Sequence, residues 1–280
     1  MQAAGAVREG VREEIGGSPD SGSDGAGLAC EVRSVTKSFG AVAAVDNVSA
    51  GIERGSLTCL IGPNGAGKST LLACVSGLLR IDAGTVVVEG SDVTHWTAHR
   101  RAEAGLGTVF QTTRPLESLD VLENAMVGCH PWTRAGFLES MARAPWQRGE
   151  ERRIAEQAYE ALELVGLADR ADAPAGSLPL GQLRLLAVSR ALAQRPRVLL
   201  LDEPAAGLRQ AEKTRLAHTL LALKDRGLTQ ILVEHDMAFV GSLADRVVVL
   251  DRGRVIADGT PAEVRESPRV VEAYLGSATL

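Results

Sequence analysis

The densest chemistry in this sequence lies in nine consecutive residues, Gly62-Pro63-Asn64-Gly65-Ala66-Gly67-Lys68-Ser69-Thr70. They follow the apolar run Leu57-Thr58-Cys59-Leu60-Ile61 and precede Leu71-Leu72-Ala73, which fits G-x-x-x-x-G-K-[ST] in a strand, loop and helix setting. Glycines let the backbone wrap closely enough for successive N–H groups to point at phosphate oxygens, and the start of the following helix adds the positive end of its dipole. In such a loop Lys68 neutralises β and γ phosphates, the Ser69 hydroxyl suits a Mg²⁺ ion that bridges them, and Thr70 reaches toward the α and β phosphates. A second set of groups follows the break at Arg195-Pro196, where Val198-Leu199-Leu200-Leu201 ends in Asp202-Glu203-Pro204. That is the pattern of a buried strand with two acids at its C-terminal edge, the edge at which open α/β sheets hold their ligands. One acid, Asp202, is suited to a metal shell and the other, Glu203, to polarising a water.

These groups need a sheet to carry them. From Leu28 onward short β-rich runs alternate with helical stretches, which predicts an α/β architecture with a largely parallel central sheet. Strands are expected near 29–36, 43–52, 56–61, 85–89, 106–110, 197–202, 228–233, 246–251 and 254–257. No convincing strand lies between about 112 and 180. There Ile154, Ala158, Ala161, Leu162 and Val165 recur at three- and four-residue spacing, with Gly166 placed to close the helix, so a helical insertion splits the core. Residues 1–27 are glycine-rich and poor in bulky apolar groups, which predicts a disordered tail ahead of one folded unit over 28–280.

Composition narrows the classes. The 280 residues are 45% hydrophobic and 23% charged, as in an ordinary folded protein. A net charge of −5, no run of five basic residues and only nine aromatics disfavour nucleic acid as a partner. No apolar run approaches the length of a membrane-spanning helix. Cys30, Cys59, Cys74 and Cys129 form no CxxC pair and read as small buried thiols. No asparagine precedes a lysine, which excludes guanine recognition through Asn-Lys-x-Asp.

Four landmarks follow in order: Phe110-Gln111, then Leu178-Pro179-Leu180-Gly181-Gln182, then Leu199 to Glu203, then His235 after Leu232-Val233-Glu234. With them the chain resembles the ATP-binding subunit of ATP-binding-cassette (ABC) transporters over residues 28–280. The resemblance implies a P-loop NTPase core with a largely parallel central sheet, an antiparallel β subdomain at the N-terminal side and an α-helical subdomain inserted at about 112–180. It implies ATP and Mg²⁺ held by residues 62–70, with Phe39 as the adenine-stacking aromatic and Ser69, Gln111 and Asp202 around the metal. Lys68, Glu203 and His235 are the implied catalytic groups. Leu180, Gly181 and Gln182 match the end of the signature loop, which grips the nucleotide of a second ATPase subunit in a sandwich dimer. His95, His99, His130 and His218 match nothing.

Two positions depart from the family pattern. Pro179 and Leu180 stand where the signature usually has serine and glycine, and Arg209 stands where many relatives carry aspartate. The first removes a hydroxyl expected on the opposing γ phosphate. Within the family, Leu-Pro-x-Gly-Gln, Glu234-His235-Asp236-Met237 and the ending Val270-Val271-Glu272-Ala273-Tyr274-Leu275-Gly276 are similar to the ATPases of branched-chain amino acid importers, with urea and amide importers as neighbours. The segment from Cys129 to Arg152 resembles the long helical insert of that subgroup. Transmembrane permease subunits, an extracytoplasmic solute-binding protein and a peripheral place on the cytoplasmic face of the membrane are implied with it.

Overall fold

The computed structural model describes residues 27–110, 115–132 and 145–276. The tail expected at 1–27 falls, but for Gly27, outside them, as does Gln111. The chain begins with a long antiparallel hairpin, β1 (Leu28–Phe39) and β2 (Val42–Glu53), and then β3 (Leu57–Ile61) leads into α1 (Lys68–Ser76). Next come β4 (Ala83–Val88), β5 (Ser91–Asp92), α2 (Ala98–Glu103) and β6 (Leu106–Val109). The middle of the chain contributes α3 (Val121–Met126), α4 (Pro145–Leu164) and α5 (Leu180–Leu192). Then follow β7 (Val198–Asp202), α6 (Gln210–Asp225), β8 (Thr229–Val233), α7 (Met237–Gly241), β9 (Arg246–Asp251), β10 (Arg254–Gly259), α8 (Pro261–Glu266) and α9 (Pro268–Gly276).

Two sheets result. One is antiparallel, in the order β2-β1-β4-β5. The other has the order β10-β9-β3-β8-β7-β6 and is parallel except for the β9–β10 hairpin. Residues of β3 and β8 are buried throughout, as strands covered on both faces must be. Side chains of β3, β7 and β8 alternate between two apolar clusters. Leu57, Cys59, Ile61, Leu199 and Leu201 pack with the helical middle of the chain, while Leu60, Val198, Leu200, Ile231 and Val233 pack with α1 and the antiparallel sheet. The sheet therefore sits between two layers, with its loops emerging at the strand ends.

Helix α4 buries Ala158, Ala161, Leu162 and Val165 as their spacing requires. Gly166 closes it at φ 68°, where a left-handed residue lets the Leu167 amide donate to the Leu162 carbonyl at 2.9 Å. The strand ends differ from the sequence expectation in a few places. β1 and β2 run to Phe39 and from Val42, because the hairpin pairs right up to its turn. Within β1 the register shifts between Val32 and Val35, where Ser34 adopts φ 50°. That bulge interrupts the apolar alternation by which a strand is recognised. β5 was not expected: two residues are too few to show any period.

Candidate active site

Strand β3 delivers the phosphate-type loop at the carboxyl edge of the parallel sheet, between β8 and β9. Glycine is required at two positions of the loop. Gly62 has φ 147° and a Cβ there would meet the Leu250 carbonyl at 2.0 Å; Gly67 has φ 99° and its Cβ would meet the Ala44 carbonyl at 2.1 Å. Any side chain at either place would push the loop off the sheet. Gly67 is the N-cap of α1, no side chain caps that helix, and its first turn holds no acid. The N–H groups at the start of α1 therefore keep their capacity for an external anion.

Lys68 folds back under this loop. Its Nζ donates to the carbonyls of Gly62 at 2.8 Å and Pro63 at 2.9 Å, and the residue is buried. Burial pulls its pKa below the usual lysine range, against the opposing effect of the nearby Glu203 and Asp202 carboxylates. Two of its three N–H bonds hold the loop, which leaves one direction for a ligand. Ser69 Oγ donates to Asp202 Oδ1 at 3.2 Å, so helix α1 and the end of β7 meet at a hydroxyl and a carboxylate. Burial raises the Asp202 pKa, an effect opposed by the Ser69 hydrogen bond.

Glu203 follows the last residue of β7 and takes φ 47°, a left-handed conformation that is strained for a residue with a side chain. Its amide still donates to the Val233 carbonyl at 3.0 Å. The strand has thus ended for the side chain while the ladder continues for the backbone, so two adjacent acids do not have to point to opposite faces. Two residues on, the Ala205 amide donates to Glu234 Oε1 at 3.0 Å, and the His235 amide donates to the other oxygen of the same carboxylate at 3.3 Å. The His235 side chain is 58% exposed. Asp236 caps α7 by accepting from the amides of Ala238 and Phe239 and forms a 2.6 Å ion pair with Lys213 of α6.

Phe39 lies at the tip of the β1–β2 hairpin, where it is 52% exposed and Lys37 Nζ stands 5.6 Å from its ring centre. A large aromatic face left open on a turn suits stacking by a planar group. Leu180, Gly181 and Gln182 form the first turn of α5. Among the described residues no hydrogen bond or ion pair joins them to the 62–70 loop. Instead the Gly181 amide donates to Glu212 Oε1 at 3.2 Å, while Glu212 Oε2 accepts from the Arg209 amide at 2.9 Å. Pro179 is the N-cap of α5 and offers no side-chain bond, so the Glu212 carboxylate takes over an amide at the helix start.

One folded chain therefore assembles Lys68, Ser69, Asp202 and Glu203 at one sheet edge, with His235 tied to them through Glu234, and keeps Gly181 and Gln182 elsewhere. The Ser69 hydroxyl and Asp202 carboxylate are two hard oxygen donors side by side, which fits Mg²⁺, an ion that takes one or two protein oxygens and completes its shell from phosphate and water. Among the described residues no group of three or more His, Cys, Asp or Glu could hold a metal by itself. Glu234 and Glu212 escaped the sequence reading as functional positions. The signal for Glu234 was a charged residue placed directly after five buried ones in β8, which is rare unless its charge is answered.

The chain is similar to known families and proteins over most of its length. Residues 45–206 match the family described as ABC transporter, and residues 254–279 match the family described as branched-chain amino acid ATP-binding cassette transporter. The chain is 37% identical over 249 residues to the high-affinity branched-chain amino acid transport ATP-binding protein BraF of Pseudomonas aeruginosa, covering 89% of this chain and 98% of the relative. It is 34% identical over 241 residues to the corresponding protein LivG of Escherichia coli K12, covering 86% and 94%. A crystal structure of a nucleotide-free ATP-binding cassette from an ABC transporter has the same fold, with a TM-score of 0.78 at 33% identity over 88% of this chain and 98% of that one. With its loop, its paired acids and its cassette fold, the chain belongs to the ABC transporter family as an ATP-binding subunit.

Proposed function

We propose that this chain is the ATP-hydrolysing subunit that energises import of branched-chain amino acids through a membrane permease, by ATP-driven closure of a dimer of ATPase subunits. The contact between Ser69 and Asp202 carries this reading, because it places a hydroxyl and a carboxylate beside the buried Lys68 at a helix start that no side chain caps. ATP lies with its phosphates in residues 62–70 and its base on Phe39. Lys68 offers its remaining N–H to the β and γ phosphates, and Glu203 orients the attacking water. His235 reaches the γ phosphate from the far side of the cleft. Ser69 and Asp202, with Gln111, would hold Mg²⁺, which draws charge from the phosphate oxygens when bound.

The separation of Gly181 and Gln182 from the 62–70 loop within one chain supports a role for them toward the nucleotide of a second subunit. Leu180 lies at the same helix start and is partly exposed. No helix among the described residues is long and apolar enough to cross a membrane, so the transport path is supplied by permease subunits. Those subunits hold the chain at the cytoplasmic face, and a solute-binding protein delivers the solute on the other side. The similarity of residues 254–279 to the branched-chain amino acid cassettes supports the solute class. Residues 28–280 act as one ATPase domain with a helical insertion at about 112–180.

Two substitutions test the site. Glu203→Gln keeps ATP binding and loses nearly all turnover, whereas Lys68→Ala loses both. Ordinary turnover in the first, or micromolar ATP affinity surviving in the second, would remove those residues from their roles. Reconstitution with the permease in vesicles tests the solute: ATP-dependent uptake of leucine is expected, and uptake of urea in its place would overturn the solute assignment.

A further inference from the structure

Among the described residues no acid is as deeply buried as Glu234, which is 1% exposed. A carboxylate is costly to bury unless its oxygens are answered. Here no lysine or arginine among the described residues answers it; the one basic side chain beside it is the imidazole of its own neighbour, with His235 Nδ1 at 3.9 Å. Instead its two oxygens accept two backbone N–H groups, from Ala205 at 3.0 Å and from His235 at 3.3 Å. Its own amide donates to the Leu60 carbonyl of β3 at 3.3 Å.

The three strands that carry the site thus converge on one residue. On the β7 side the anchor is rigid, because the Glu203 amide is held by Val233 and the Ala206 amide returns to the Glu203 carbonyl at 3.1 Å. On the β8 side the chain has left the strand, and residues 234–236 belong to neither helix nor strand. The exposed His235 ring has no close polar contact among the described residues other than the Glu234 carboxylate. A glutamine could not do the same work, since its side chain accepts with one end only and would set an N–H against an N–H at the other.

We propose that Glu234 is a positioning residue for ATP hydrolysis: it clamps the His235 backbone to the Ala205 amide behind Glu203, holding imidazole and carboxylate at a fixed separation across the nucleotide. This rests on the roles given above to Glu203 and His235. Because Glu234 touches neither ATP nor the water, its loss slows the chemical step and leaves nucleotide binding alone.

The test uses the full chain, with its permease partners where turnover requires them, in the forms E234Q, E234D, H235A, E234Q/H235A and E203Q. In E234Q, kcat is expected to fall about tenfold while the KM for ATP stays within about twofold. In the H235A background the same change is expected to alter single-turnover hydrolysis by less than about twofold, since there is no imidazole left to place. E234D, whose carboxylate is drawn back by one carbon, is read in the same way if E234Q does not fold. Wild-type turnover in E234Q, a further tenfold loss on top of H235A, or melting of both variants below the assay temperature would each overturn the inference. Normal turnover in E203Q would instead sink the site assignment beneath it, so the two failures are told apart.

Discussion

The amide of Gly181 donates to the carboxylate of Glu212, 31 residues further along the chain, and that carboxylate also caps the start of α6 through the Arg209 amide. A Cβ at position 181 would lie 2.7 Å from Glu212 Oε1. Replacing Gly181 by alanine therefore has two opposed effects: it gains about 0.5–1 kcal/mol of helix propensity and displaces a cap of about 1 kcal/mol. Gly181→Ala is expected to be nearly neutral in the wild type, while Glu212→Ala costs about 1 kcal/mol. In the Glu212→Ala background, Gly181→Ala is expected to stabilise. Urea unfolding of the four proteins reads this directly, and additive effects would show that the two residues do not share a contact.

Arg101 is buried and donates to the carbonyls of Cys74 and Val75, both at 2.7 Å, of Thr94 at 3.0 Å and of Trp96 at 3.3 Å. It thereby caps the C-terminal end of α1, the helix whose other end carries Lys68. Arg101→Met fills much of the space but strands those carbonyls. The expected loss is about 3 kcal/mol, with Arg101→Lys recovering only part of it because an ammonium lacks the planar fork. A thermal or urea melt decides, and a Met variant as stable as the parent would mean that water replaces the guanidinium.

Asp236 has its pKa lowered chiefly by the Lys213 hydrogen bond, with the Phe239 amide next. An acid that titrates lower in the folded state stabilises the protein above its unfolded pKa of about 3.9, and that contribution disappears as pH falls through the lower folded value. Stability is therefore expected to drop from about pH 5 downward, and Asp236→Asn to show a shallower drop. Unfolding midpoints measured between about pH 6 and about pH 3 check it, and parallel curves for the two proteins would refute the linkage.

All four cysteines are buried, and burial pushes the Cys30 thiol up to about 12 and those of Cys74 and Cys129 to about 11. The native protein is expected to resist alkylation at mildly alkaline pH and to take up label at all four sites only on unfolding. Mass spectrometry after a labelling pulse gives the answer. Fast modification of any one in the native state would show that its surroundings open readily.

Much of the site was legible because it is local. Residues 62–70 bond mainly to one another, as Lys68 does to Gly62 and Pro63, so the pattern of glycines, lysine and serine already contains the loop. The run ending in Asp202-Glu203 announced itself in the same way, since an apolar stretch that stops at two acids has only one sensible place in a parallel sheet. Even the bend after Asp202 was foreseeable in kind, though not the left-handed φ of Glu203 that produces it.

What the order of residues determined by itself, then, was the main strands, the buried face of α4 and the loop that wraps phosphate, because periodicity and turn chemistry act over a few residues. Tertiary structure alone decided which distant backbone each buried charge answers. Glu234 meets Ala205 across 29 residues and Arg101 meets Cys74 across 27, and in both cases the partner is a peptide group that every residue type carries equally. A backbone amide or carbonyl leaves no mark in the sequence, so the first pairing exists only once β7 and β8 lie side by side and the second only once α2 packs on the end of α1.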